Sequence, residues 1–158
     1  MHYLIQLLLR FLLVVLLIVG TVSNAPSANA QPQDADCALH TIGYYAGLSP
    51  SEVADRTGVM EGPAHDEDTI TGMLTRLHLG NGVHPHFRSR QEVYNYMLGQ
   101  NGNAAYVLGW VPQNGVGHVI NARRYNSNLT FMDCQNLNNN QPPDDPSYTY
   151  VLWFVRHE

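Results

Sequence analysis

The hydrophobic pattern changes period twice along the chain. Phe11 to Val22 is a nearly unbroken apolar run, preceded by Arg10 and followed by Ala28-Asn29-Ala30. A basic flank, a short apolar core and a small-x-small site together predict a cleavable secretory signal over residues 1–30. The run is shorter than the roughly 20 residues a bilayer span needs, so no stable membrane anchor is expected after cleavage. A helical period then takes over. Cys37, Ala38, Leu39, Ile42, Tyr45 and Ala46 share one face of a helix that Gly47 ends. Ser49-Pro50-Ser51-Glu52 combines a capping box with proline at the first helical position, and Gly58 closes that helix. Ile70, Met73, Leu74 and Leu77 predict a third helix over Asp68 to His78. Ser89-Arg90-Gln91-Glu92 caps a fourth, which runs through Val93, Tyr94, Met97 and Leu98 to Gly99.

Beyond Gly99 the segments Ala104 to Val111, His118 to Tyr125, Leu129 to Asp133 and Tyr148 to Arg156 are rich in β-branched and aromatic residues, with turn signals between them. They predict an antiparallel sheet, with Asn126-Ser127-Asn128 joining the second and third strands. Asn136 to Pro146 reads as a polar loop. The fold class is therefore α+β, with an N-terminal helical half packed on a C-terminal antiparallel sheet. Residues 31–158 are long enough for one hydrophobic core and too short for two, so a single domain is expected.

Removing the signal leaves seven arginines against thirteen acids. An acidic surface of that kind excludes a nucleic-acid partner, which would require a basic face. His84-Pro85-His86 lacks a third ligand in view and reads as loop, so neither a metal nor another cofactor is expected.

The two cysteines carry the candidate chemistry. In an exported protein an even count points first to a disulfide, and a Cys37–Cys134 bridge would stabilise the fold by about 2–4 kcal/mol. Against this, Cys37 stands at a helix start, where unpaired N–H groups favour a thiolate. A histidine on the sheet could exchange a proton with that sulfur, and a carboxylate on the next strand could orient the ring. Gly117-His118-Val119-Ile120 and Phe131-Met132-Asp133 offer both groups in that order. Asp133 interrupts an apolar strand, where burial is costly without a partner such as histidine. His40, one turn after Cys37 on the same helix, is poorly placed to meet an incoming carbonyl.

The blocks Asp36-Cys37-Ala38, Gly117-His118-Val119-Ile120-Asn121 and Phe131-Met132-Asp133-Cys134-Gln135 resemble the three signature blocks of the bacterial papain-fold toxins, a family that includes protein-glutamine deamidases. The resemblance implies a papain-like domain over 31–158 with Cys37 as nucleophile, His118 as base and acid, and Asp133 as orienting carboxylate. It also implies a protein substrate, a secreted or periplasmic toxin or effector acting in a target cell, and a cognate immunity protein. Two features depart from the family pattern: Cys134 stands where glycine is common, and the helical insert between Cys37 and His118 is long. Two other readings stay open on the residues: a cell-wall peptidase of the NlpC/P60 type, and a disulfide-stapled secreted binding module without catalysis.

Overall fold

Local capping chemistry sets where the helices begin. The structure, a computed structural model, describes residues 36–62, 64–80, 85–112, 117–135 and 141–157; the expected signal segment lies outside them. Helix α1 (Cys37–Ala46) starts at Asp36, whose carboxylate leaves the cap unmade and instead accepts from the Gly62 N–H at 2.5 Å. Helix α2 (Pro50–Thr57) carries the full reciprocal box. The Glu52 N–H donates to Ser49 Oγ at 3.3 Å, and the Ser49 N–H donates to Glu52 Oε2 at 2.8 Å. In helix α3 (Glu67–Arg76), Asp66 Oδ1 accepts from the Thr69 N–H at 2.8 Å. In helix α4 (Arg90–Gly99), Ser89 Oγ accepts from the Glu92 N–H at 3.2 Å. The third helix stops short of its expected end because the chain passes through a left-handed conformation at His78, φ 55°.

Five strands form one antiparallel sheet in the order β1-β5-β2-β3-β4: β1 (His86–Phe87), β2 (Ala104–Pro112), β3 (His118–Tyr125), β4 (Asn128–Met132) and β5 (Tyr148–His157). The described residues are thus an α+β fold with four helices. The sheet's hydrophobic residues alternate between two cores. Ala105, Val107, Val119, Val151, Trp153 and Val155 pack with α1, α2 and α3. Tyr106, Leu108, Ile120, Ala122 and Leu152 face the other way and pack with Val93 and Met97 of α4. Both faces of β2 are therefore buried, which is why it reads as an almost continuous apolar run.

The structure adds or shifts three details. His86 and Phe87 pair with Val151 and Tyr150 to make an edge strand where the sequence predicts loop, since two residues carry no readable alternation. Tyr125 pairs directly with Asn128, leaving a two-residue turn of Asn126 and Ser127, both with positive φ. The strand expected to run through Asp133 ends at Met132, so Asp133 stands in the turn that follows.

The α2 cap gives a direct stability test. Ser49→Ala removes the acceptor for the Glu52 N–H and should lower unfolding stability by about 0.5–2 kcal/mol, whereas Ser49→Gly should cost only a few tenths. Urea unfolding midpoints of the two variants check both values.

Candidate active site at the end of strand β3

The site is built around a mismatch in strand length. β4 pairs with β3 only as far as Met132 opposite Asn121, so β3 continues unpaired on that side through His118. Helix α1 fills the vacated edge. The Val119 N–H hydrogen-bonds the Cys37 sulfur, and the Val119 carbonyl accepts from Thr41 Oγ1 at 3.2 Å. One turn further along α1, the Tyr45 hydroxyl reaches the carbonyls of Tyr106 and Ala122 at 2.9 and 3.2 Å. Cys37 is thereby fixed beside the backbone of the residue that follows His118.

His118 lies opposite Trp110 on β2, and the two rings meet edge-on with centroids 5.1 Å apart. Gly117 permits this approach. A Cβ there would come within 2.9 Å of the Trp110 carbonyl oxygen and of Val111 Cγ2. After Met132 the chain turns and brings the Asp133 carboxylate back to the ring. His118 Nε2 lies 2.9 Å from Asp133 Oδ2, and Asp133 Oδ1 accepts from the Gln135 N–H at 2.9 Å, so both oxygens are held. His118 and Asp133 are 4% and 2% exposed, so water does not substitute for these bonds.

This arrangement fixes the tautomer of the neutral ring. An ionised carboxylate only accepts, so Nε2 carries the hydrogen and donates it to Asp133. Nδ1 then holds the basic lone pair, and it is a buried atom with no hydrogen-bond partner. Leaving such a group unsatisfied costs about 1–3 kcal/mol, a cost proteins tend to accept at reactive centres.

The structure brings the three expected residues to one end of β3: His118 and Asp133 through a direct hydrogen bond, and Cys37 through the backbone of Val119. The electrostatics differ from the expectation for a helix-start cysteine. Burial pushes the Cys37 thiol up; the N–H groups of Val119 and Ala38 pull it down, the charges of Asp133 and Asp36 push up again, and the net direction is upward. Desolvation outweighs the helix-end amides, so the resting group is a thiol and not a thiolate.

Cys134 lies in the turn, and its sulfur accepts from Asn121 Nδ2 at 2.8 Å, on the face of β3 opposite His118. Burial, followed by the Asp133 charge, raises its pKa to about 11, with Arg123 opposing. Both cysteines are free thiols. Sequence reasoning passed over Trp110, Asn121 and the Gln135 amide. The last of these has a local signal, because aspartate commonly accepts from the N–H two residues on.

Of the histidines left aside, His86 Nε2 is 2.8 Å from Glu67 Oε2, and His84 lies outside the described residues. No cluster of three or more His, Cys, Asp or Glu side chains that could hold a metal occurs among the described residues. No family model matches the chain, and no curated protein matches it.

The two thiols give paired predictions. In the native protein, iodoacetamide labelling of Cys37 should show a pH midpoint above the ordinary thiol value of about 8.5, and Asp133→Asn should lower it by removing a negative neighbour. A midpoint unmoved by the substitution would show that the Asp133 charge does not reach the sulfur. For Cys134 the raised pKa means that the unfolded chain loses its proton first, so stability is intact below pH 9 and declines as the pH rises to about 11. Cys134→Ala should flatten that alkaline decline by about 1–2 kcal/mol, after discounting for partial solvent screening, as read from urea midpoints at neutral and alkaline pH.

Proposed function

We propose that the protein is a cysteine-dependent amidohydrolase of papain-like design, acting on the carboxamide of protein glutamine or on a peptide bond. The observation that carries this reading is the buried Nδ1 of His118. Its lone pair has no protein partner, its opposite nitrogen is locked to Asp133, and the adjoining residue holds the Cys37 sulfur. Cys37 and Cys134 are free thiols in this structure.

In the proposed reaction the Cys37 S–H proton passes to His118 Nδ1 as the sulfur attacks the carboxamide carbon. Backbone N–H groups at the start of α1 take the negative charge that develops on the carbonyl oxygen. The imidazolium returns the proton to the departing nitrogen, the C–N bond breaks, and ammonia or an amine leaves a thioester on Cys37. Water then gives a proton to Nδ1 and attacks the thioester carbon. The C–S bond breaks to release the carboxylate, and the sulfur regains its proton. Asp133 keeps the ring in the required tautomer and stabilises the imidazolium formed in each half. Because the resting thiol is neutral, His118 acts as a general base rather than as one half of a preformed ion pair.

With the sequence features of export and the resemblance to papain-fold toxins, this chemistry fits a secreted or periplasmic effector whose substrate is a protein and whose producer holds a cognate immunity protein. Ammonia release from glutamine-bearing proteins, new amino termini and digestion of purified peptidoglycan, each measured with the signal-free chain, distinguish deamidase, protease and cell-wall peptidase. Cys37→Ser and His118→Ala should each lower turnover by about 10²–10⁴-fold or more while leaving the circular-dichroism spectrum intact. Unchanged turnover in either variant overturns the proposal.

A further inference from the structure

A cavity opens on the α1 face of the sheet, further along β3 from Val119, whose N–H meets the thiol. It measures about 190 Å³ and lies between Tyr44 of α1, Asn121 and Arg123 of β3, and Thr130 to Met132 of β4. This is smaller than the roughly 300–1,000 Å³ of small-molecule sites and suits a single side chain. It also continues the line of the active site. Val119, Asn121 and Arg123 alternate onto one face of β3, so Arg123 stands about 13 Å along the strand from the residue that touches Cys37. That distance matches three or four residues of an extended chain.

The cavity is charged at its far end. The Arg123 guanidinium lies over the rings of both Tyr44 and Tyr45, 5.3 and 5.6 Å from their centroids, which holds the cation in place before any ligand arrives. Among the described residues, no acidic side chain lines the space. At the floor, Asn121 is 2% exposed; one end of its amide meets Cys134, and its carbonyl oxygen is buried without a partner. A neutral thiol can both donate and accept. Cys134, kept protonated by burial, can therefore serve either orientation of that amide. In the flipped orientation the Asn121 NH₂ faces the cavity and the S–H donates to the carbonyl.

We propose that this cavity is a specificity subsite for an acidic side chain of the substrate, three or four residues from the reacting carboxamide. The carboxylate pairs with the Arg123 guanidinium and accepts from the Thr130 hydroxyl and the turned Asn121 amide. The inference rests on the amidohydrolase reading for the placement of the reacting group.

The test measures binding apart from turnover. Roughly nine-residue peptides with a central glutamine, and one glutamate walked through the other positions, are titrated by fluorescence anisotropy against the Cys37→Ala protein. Glutamate at one offset, three or four residues from the glutamine, should bind about tenfold tighter than glutamine or alanine there, and added salt should erode the difference. Arg123→Gln should abolish it. Thr130→Asp, at an exposed edge-strand position that leaves the aromatic stack untouched, should abolish it as well and favour a basic residue at that offset. The subsite is overturned if affinity does not depend on where the glutamate stands, if no peptide binds, or if the preference survives both substitutions. A glutamate preference in binding, with no ammonia or new amino terminus released by the unsubstituted protein, sustains the subsite and overturns the reaction. Turnover without that preference does the reverse.

Discussion

β4 ends at Met132, opposite Asn121, while β3 runs on to His118, and the backbone groups that β4 leaves uncovered must find partners elsewhere. Buried N–H and C=O groups are rarely left open, because each costs about as much as a lost hydrogen bond. Helix α1 meets the need at Val119 with Cys37 and Thr41. The position of the sulfur is thus set by where a strand stops. The same stop frees the chain to turn at Asp133 and return its carboxylate to His118, so one difference in strand length assembles all three side chains.

Burial then decides the chemical state of the group. A cysteine at an exposed helix start gains from the amides and from the dipole. Here the sulfur lies against the core, and removal from water outweighs what the Val119 and Ala38 N–H groups return. The Asp133 carboxylate, also buried, receives two directed hydrogen bonds, from His118 and from Gln135. The His118 ring beside Asp133 keeps its other nitrogen, Nδ1, buried and without a hydrogen-bond partner.

Much of this was legible in the sequence wherever the signal is local. The Ser49 and Ser89 caps, the glycines at 47 and 58, the four long strands and the order Cys37, His118, Asp133 all follow from short-range patterns that the structure reproduces. What was missed depends on tertiary placement. The side of the sheet on which α4 packs is not encoded in its own period, although the unbroken apolar run of β2 implies that something covers the second face. The direction of the Cys37 shift could not be read from a helix start alone, since it depends on a core that also draws residues from strands as distant in the chain as Val119, Val151 and Val155.

The way α1 is fastened also limits how far it can move from the sheet. Cys37, Thr41 and Tyr45 recur every fourth residue, which places them on one stripe of the helix, and each is tied to the backbone of β2 or β3. Asp36 adds a tether at the helix start by accepting from Gly62. Swinging α1 outward would break several buried hydrogen bonds together, at about 1 kcal/mol or more for each. Access by hinging of the helix is therefore disfavoured. Beside β4, an edge strand among the described residues, Tyr44, Thr130 and Met132 border an open cavity. The edge that ends early to build the site is thus also the one that borders this cavity, with α1 tied to the sheet backbone beside it.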